Sequence, residues 1–534
     1  MLPTPAAAMR SRWGDSKGRT GALLAYANWN SARALIVGVF LARLVYLIAL
    51  CPYELVGDEG YYWEQARHLD WCYNEKGPAL PWMIAACCRV LGDHEWAVRL
   101  PVAISSLLAG WGIGRLAMAV SDDDERVGFL AVLIFCLLPA FQANAQLCTQ
   151  DGPLIAIWVA LTAIGLRLAR RWSGARESRW GDWMLFWFVL GVGFLLKQSI
   201  LLFLPGMAIY WFFDKKAAVP KGRWWLQQLI GVLLFTVVIS PMIYWNARHG
   251  WPMFAHTLGH LGAGGDQVGD TIKGNPLTWL GGTLGGIVGA FGPAFVILCL
   301  WASLRARREI DPERWRDRLW LICAAWPSIG FFIALSFIKP VVPSWPLPHF
   351  VPLVALVATL AVELPRRLNG KETWFGRAWG VMIWYGVIGW LVLSFPTGLA
   401  YLPKYGAKLQ KSVLSRFTGH RAEARELEDV LARVNTPDGR PPIIVTKYYM
   451  PACLYAFYVP SHPTTTTAQR YLGRREMTFD IWPDTNLANP ALRGRTLLLV
   501  GEDVPWERAL RYERLEPIPG ERRFNLAIGY QGPR

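Results

Sequence analysis

The chain has 534 residues, of which 53% are hydrophobic, only 18% are charged and 29 are tryptophan. Soluble domains carry roughly 25% charged residues, so this composition, with its apolar residues gathered into long runs, excludes a string of water-soluble domains and indicates a polytopic membrane protein. The formal net charge of +16 does not indicate nucleic acid as a partner, because the basic residues fall between the apolar runs rather than along one surface.

The N-terminal segment is basic, and the first apolar run begins only after Arg33. This order is not that of a cleavable signal peptide, so we expect an uncleaved anchor. Of the nine cysteines, only Cys51 and Cys72 are candidates for a disulfide, since most of the others lie in apolar stretches.

Apolar runs close to the length that crosses a bilayer recur along the first three quarters of the chain. They lie at 34–50, 97–120, 127–141, 152–169, 183–196, 198–213, 226–245, 277–303, 319–338, 349–364 and 378–396. The apolar segment 79–91 is shorter and is typical of a helix in the membrane interface. The sequence therefore predicts an α-helical polytopic membrane protein with about 11 to 13 transmembrane helices.

Basic residues mark one side of these predicted spans. With the N-terminus inside, the predicted cytoplasmic loops are 121–126, 170–182, 214–225, 304–318 and 365–377. All but the first are rich in Arg and Lys, as the positive-inside rule requires. We therefore expect a cytoplasmic N-terminus and, after an odd number of spans, a C-terminal domain on the opposite side.

The first outer loop, residues 51–96, holds the most unusual residues. Asp58 and Glu59 directly follow the first span and precede the aromatic run 61–63. Acids beside aromatic rings at a membrane interface are poorly hydrated, which suits base chemistry, although ordinary solvated loop acids would look the same. Further along, Lys76 can present its charge to a phosphate and Glu75 can ligate a divalent metal, or the two can form a surface ion pair.

Five more polar residues lie near the membrane on the predicted outer face. Asp151 can cap the helix that it opens or act in a site. Lys197 lies close to the hydrocarbon region, where a lysine is costly, and either functions there or extends to the interface. His256 and His260 have the i, i+4 spacing of a metal-binding pair, although isolated histidines are more often plain polar residues. Lys339 opens a proline-rich loop at the outer end of a span.

The composition changes at the end of the membrane part, residues 1–402. Residues 403–534 alternate polar and apolar positions, with strand-like runs at Pro442–Thr446 and Thr496–Val500 and an amphipathic helix at Arg421–Val434. We predict a soluble α/β domain here, on the outer side of the membrane.

At these residues the sequence resembles the polyprenyl-phosphate-dependent sugar transferases of GT-C type, in the protein-mannosyltransferase-related branch that includes bacterial aminoarabinose (lipid A) transferases. The resemblance is carried by 58–63 (Asp-Glu-Gly-Tyr-Tyr-Trp), 76–78, 97–101, 149–153, 196–197, 343–348 and 454–460. It implies many membrane helices, a cavity that opens outward and a soluble C-terminal domain above it. The Gly77 insertion departs from the Glu-Lys-Pro pattern of the aminoarabinose transferases.

The resemblance also implies roles for individual residues. Asp58 matches the catalytic carboxylate, with Glu59 beside it and Asp151 as a second acid. The predicted donor-phosphate ligands are Lys76, Lys197 and Lys339. A divalent metal is the one cofactor suggested, and its predicted ligands are Glu75, His256 and His260.

The predicted reaction is attack by an acceptor hydroxyl on a sugar carried by a polyprenyl phosphate, with inversion, in the bacterial cytoplasmic (inner) membrane. The expected partners are that donor, membrane lipids, and an acceptor glycan, lipid or protein, but no nucleic acid. The rival hypotheses are a transporter or flippase of lipid-linked or anionic substrates, and a non-catalytic membrane scaffold.

Overall fold

The computed structural model describes residues 27–173, 179–214, 223–260, 274–364, 367–368, 371–401, 406–412, 414–437 and 439–534. The basic N-terminal segment that ends at Arg33 therefore lies mostly outside the described residues, as does the predicted domain boundary at 402–403.

The membrane part is built of helices joined by short loops. In chain order they are α1 (Trp29–Val45), α2 (Gly57–Arg67), α3 (Ala79–Leu91), α4 (Glu95–Ala119), α5 (Glu125–Leu137), α6 (Pro139–Gln146), α7 (Asp151–Ser173), α8 (Trp180–Leu196), α9 (Phe203–Phe213), α10 (Arg223–Arg248), α11 (Pro252–His260), α12 (Pro276–Phe291), α13 (Pro293–Ala306), α14 (Pro312–Leu335), α15 (Val351–Glu363) and α16 (Trp374–Ser394). Each predicted apolar run coincides with one of these helices or with two helices in succession, and the short segment 79–91 is helix α3.

Two of the predicted spans are bent. The α5–α6 pair bends by 65° and the α12–α13 pair by 98°. In each pair a proline, Pro139 or Pro293, opens the second helix. Proline cannot extend the preceding helix, because its ring blocks the carbonyl four residues back. Gly292, at the second bend, has a φ of 82°, which glycine adopts without strain.

Length limits how many of the helices can cross a bilayer. Among the described residues, six helices are long and apolar enough, and the two bent pairs raise this number to eight. Four further apolar helices are shorter. Two of them are α3 (Ala79–Leu91) and α8 (Trp180–Leu196). The other two, Gln198–Phe213 and Leu347–Glu363, are α9 and α15, each counted together with the short 3-10 helix that precedes it. The predicted 11 to 13 spans are therefore reached only if shorter helices also cross.

Ion pairs tie the predicted cytoplasmic loops to one another at one end of the helices. The pairs are Arg170–Asp317, Arg314–Asp122, Arg316–Asp214 and Arg318–Glu363. The loops that were assigned to one side by their charge therefore do lie together. The predicted outer loops and the C-terminal domain meet at the opposite end.

The C-terminal domain contains α17 (Gly406–Ser412), α18 (His420–Arg433), α19 (Tyr449–Tyr458), α20 (Trp506–Ala509) and the strands β1 (Ile443–Thr446), β2 (Thr465–Thr467), β3 (Leu497–Val500), β4 (Leu510–Pro517) and β5 (Phe524–Pro533). The strand order is β2-β1-β3-β5-β4, parallel between β1 and its two neighbours and antiparallel elsewhere. Both faces of β1 are buried, with Ile443 on one side and Ile444 on the other. This burial on both faces agrees with the unbroken apolar sequence of residues 443–445. The predicted helix and both predicted strands are confirmed.

Helix α19 of this domain packs closely on α2 of the first outer loop. A Cβ at Gly57 would lie 2.5 Å from Met450 Cγ, and one at Gly60 would lie 3.3 Å from Cys453 Cβ. The two glycines let the helices approach, and this contact brings the C-terminal domain directly over Asp58.

Candidate active site

Glu59 is a structural acid. It is fully buried, and Arg99 binds it through two hydrogen bonds of 2.9 and 2.8 Å. The backbone N–H groups of Val56 and Cys148 also donate to its carboxylate, at 3.0 and 2.7 Å. Both oxygens are thus engaged away from solvent, which corrects the prediction of a catalytic role for Glu59.

Asp58 is placed differently, although it is the adjacent residue. It lies in the first turn of α2, is half-buried, and accepts a 3.1 Å hydrogen bond from the Tyr449 hydroxyl. It forms no ion pair with any residue that the structure describes. Because Asp58 keeps a carboxylate oxygen free of cations, it is better suited than Glu59 to accept a proton.

Lys76 lies against Tyr62 on the same side of α2. Its Nζ donates to the Tyr62 hydroxyl at 3.0 Å and lies 4.8 Å from the centre of the ring. Burial, followed by the charges of Asp58 and Asp151, raises the pKa of Tyr62 well above its usual value. Tyr62 therefore lies close to Asp58, Asp151 and Lys76. Lys76 has no acidic partner among the described residues, which leaves its charge available to an anion.

Asp151 and Lys197 form an ion pair beside this group. Lys197 Nζ lies 2.6 Å from Asp151 Oδ1, and both side chains are largely buried, at 20% and 8% exposure. Asp151 opens α7 and Lys197 directly follows α8, so two helix ends hold the pair. The structure joins the predicted second acid to one of the predicted phosphate ligands.

Glu75 does not pair with its neighbour Lys76. Its Oε2 accepts hydrogen bonds from the Tyr61 hydroxyl at 2.6 Å and from Thr478 Oγ1 at 3.4 Å. The other oxygen, Oε1, is buried without a hydrogen-bond partner. The prediction of a surface ion pair between Glu75 and Lys76 is therefore wrong. Glu75 instead joins the first outer loop to the C-terminal domain.

The two histidines of α11 lie in a basic cluster. Their Nε2 atoms are 2.9 Å apart, and Arg475 Nη1 lies 3.0 Å from His256 Nδ1. Lys339 Nζ donates to the Gly259 carbonyl, 2.6 Å away, at the end of the same helix. Burial, and then the nearby positive charges of His256, Lys339, Arg475 and Lys76, lowers the pKa of His260 to about 2.

The predicted metal ligands Glu75, His256 and His260 do not come together. The described residues contain no group of three or more His, Cys, Asp or Glu side chains that could hold a metal ion. The guanidinium beside His256 also makes this position unfavourable for a cation. The arrangement does not fit the predicted metal site.

The predicted disulfide candidates are separate as well. Cys72 lies 3.4 Å from Met253 Sδ, whereas Cys51 contacts Arg99. Both thiols are free.

Sequence reasoning missed three residues at the outer end: Tyr449, Arg475 and Thr478, all from the C-terminal domain. The only available signal was the aromatic pattern at 454–460, which lies on the same helix as Tyr449. Nothing in the sequence placed that helix against Asp58.

Comparisons with known proteins show similarity in sequence and in fold. A sequence profile of the family described as dolichyl-phosphate-mannose-protein mannosyltransferase matches residues 75–245. An undecaprenyl phosphate-alpha-4-amino-4-deoxy-L-arabinose arabinosyl transferase of Aeromonas hydrophila is 27% identical over 391 residues, 65% of this chain and 62% of that protein. The protein of the same name from Aeromonas salmonicida is 26% identical over 403 residues, 68% of this chain and 65% of its own length. The alignments thus span slightly less than two thirds of each relative.

The fold has a close counterpart among solved structures. The crystal structure of ArnT from Cupriavidus metallidurans bound to undecaprenyl phosphate superposes with a TM-score of 0.63 at 18% identity, covering 92% of this chain and 97% of that one. The apo structure of the same protein gives a TM-score of 0.57 at 20% identity over the same shares.

The chain is therefore a multi-pass membrane protein with the GT-C fold, and the predicted fold class is confirmed. Within that class, its sequence is similar to the two bacterial aminoarabinose transferases named above.

Proposed function

We propose that this protein is a membrane glycosyltransferase that moves a sugar from a polyprenyl-phosphate donor to a hydroxyl acceptor. The observation that carries the proposal is the contrast among the acids at the outer end. Glu59 and Asp151 are paired with Arg99 and Lys197, whereas Asp58 has no cationic partner among the described residues. The relatives named as undecaprenyl-phosphate arabinosyl transferases support the choice of donor.

In the proposed reaction, Asp58 removes the proton of the acceptor hydroxyl while its oxygen attacks the anomeric carbon. The bond from that carbon to the phosphate oxygen breaks, and polyprenyl phosphate leaves with the electron pair. Lys76 offsets the charge that develops on the phosphate, and Lys197 adds to the positive potential nearby. A single displacement of this kind inverts the anomeric centre.

The proposed location of the site in the membrane rests on the distribution of charged loops between the two ends of the helices. We place the site on the non-cytoplasmic face of the bacterial inner membrane, with the N-terminus inside and the C-terminal domain outside. The supporting observation is that the end opposite the site carries the Arg-rich loops that the positive-inside rule assigns to the cytoplasm.

The test uses the full-length protein in detergent with undecaprenyl phosphate-aminoarabinose as donor and lipid A as the first acceptor. We expect release of undecaprenyl phosphate together with sugar transfer. Asp58→Asn should abolish both, whereas the matched change Asp503→Asn, at an exposed acid of the C-terminal domain, should leave them unchanged. Asp58→Asn with the wild-type rate would remove the base role.

A transporter would give a different result, because it would bind the donor and leave it intact. Lys76→Glu provides a further check on the phosphate role. Unaltered donor binding in that variant would show that Lys76 does not contact the phosphate.

A further inference from the structure

Arg475 lies in a short segment of the C-terminal domain that inserts between the first outer loop and α11. The Glu476 carbonyl accepts a 2.9 Å hydrogen bond from Asn74 Nδ2, and the Thr478 backbone N–H donates to the Tyr61 hydroxyl at 3.2 Å. The Arg475 carbonyl is itself held by Gln469 Nε2 at 3.0 Å. We call residues 475–478 the docking segment. Its two ends reach the predicted metal ligands His256 and Glu75.

The hydrogen bonds of His256 fix how its ring is used. A guanidinium can only donate, and Arg475 Nη1 lies 3.0 Å from His256 Nδ1 and 3.4 Å from its Nε2, so we assign Nδ1, the nearer ring nitrogen, as the acceptor that carries a lone pair. The proton of a neutral His256 then sits on Nε2 and is donated to His260 Nε2, 2.9 Å away. The lone pair of His256 Nδ1 thus accepts from Arg475, and the lone pair of His260 Nε2 accepts from His256.

Metal binding needs those same lone pairs. A neutral imidazole binds a metal through its unprotonated nitrogen, and in this arrangement neither His256 Nδ1 nor His260 Nε2 is free. The guanidinium also places a permanent positive charge where a divalent ion would have to approach. At the other end of the docking segment, Glu75 already accepts hydrogen bonds from Tyr61 and Thr478.

We propose that Arg475 serves in place of a divalent metal in this protein: its guanidinium holds His256 and α11 and supplies a fixed positive charge beside the donor-phosphate site. The role of this charge toward the donor rests on the proposed function. The exclusion of a metal from His256 and His260 is independent of the proposed function.

The first experiment measures metal directly and needs no substrate. Full-length protein in detergent is equilibrated with Zn²⁺, dialysed, and its zinc content measured by mass spectrometry for wild type, Arg475→His, and the double variant Arg475→His/His256→Ala. We expect no stoichiometric zinc in wild type, one zinc per chain in Arg475→His, and loss of that zinc in the double variant. Stoichiometric zinc in wild type that His256→Ala removes would overturn the proposal, and so would Arg475→His protein that is folded by its melting curve but binds none.

The second experiment measures binding of undecaprenyl phosphate to wild type and Arg475→Gln, with and without EDTA. We expect affinity that EDTA does not alter and that Arg475→Gln weakens several-fold. Affinity that EDTA abolishes in wild type would overturn the proposal. Complete absence of binding in every sample would instead contradict the proposed function and leave the zinc measurement to decide the role of Arg475.

Discussion

Tyr449 and Asp58, 391 residues apart in the chain, are joined by a hydrogen bond of 3.1 Å from the tyrosine hydroxyl to the carboxylate. The Tyr449 ring also packs on Tyr61, with 4.9 Å between the ring centres. The C-terminal domain thus supplies a side chain that orients the proposed base, rather than only covering the membrane part.

Tyr449→Phe should lower the rate of sugar transfer roughly tenfold, because a hydrogen bond to a charged group contributes about 1.5 kcal/mol or more. Packing on Tyr61 should be retained, so the melting temperature should change little. The matched control is Tyr448→Phe, since the ring of Tyr448 contacts Arg474 and Lys447 instead of Asp58. Equal rates in the two variants would contradict an orienting role for Tyr449.

Lys197→Met should reduce both stability and donor binding. It leaves Asp151 largely buried without its cation, a change that typically costs about 3–5 kcal/mol. The double variant Asp151→Asn/Lys197→Met has no unpaired buried carboxylate at position 151, so its thermal stability should largely recover. Donor binding should stay weak if Lys197 contributes to phosphate binding, and its full recovery would show that the pair is purely structural.

Glu59→Gln should destabilise the protein without removing the chemistry. The substitution leaves Arg99 buried without a counter-charge, at a cost of roughly 3–5 kcal/mol. We expect a lower melting temperature in detergent, but transfer by the remaining folded protein at a rate near that of wild type. Folded Glu59→Gln protein without transfer activity would restore Glu59 to the catalytic residues.

His68 predicts a pH dependence of docking between the two parts. Burial alone would lower its pKa, but the hydrogen bond to Asp484 and the charge of Glu64 outweigh this and raise it. A raised pKa means that the stabilisation is complete below about pH 6.5, the unperturbed value, and is lost as the pH rises through the folded-state pKa.

The measurement compares the melting temperatures of wild type and His68→Gln between pH 5.5 and 8.5. Wild type should exceed the variant most at low pH, and the difference should shrink as the pH rises. A difference that grows with pH would contradict the assignment. The ring of His68 also stacks on Trp482, so a constant part of the difference reports lost packing.

The helices and the gathering of the Arg-rich loops at one end were predictable, because apolar length and the placement of Arg and Lys are local features of the sequence. The gathering of Asp58, Lys76, Asp151 and Lys197 at one end follows from the same pattern. The number of spans does not follow from apolar length alone, since helices such as α8 and α15 are apolar but short and their depth in the membrane depends on the helices around them.

The roles of individual acids could not be read from the sequence. Asp58 and Glu59 are adjacent on a helix and therefore point in different directions, about 100° apart. Arg99 on α4, together with the backbone N–H groups of Val56 and Cys148, holds Glu59 in its buried position. The guanidinium beside His256 could not be foreseen for a similar reason, because it comes from a residue 219 positions later.

The contact between α19 and α2 has a consequence for biosynthesis. Ribosomes make the chain from its N-terminus, so Asp58 is made well before Tyr449 and Arg475. A nascent or truncated chain that ends before the C-terminal domain would carry all the candidate membrane helices that the structure describes and still lack an oriented Asp58. The hydrogen bond that orients Asp58 can therefore form only after the C-terminal domain has been made and has folded against α2.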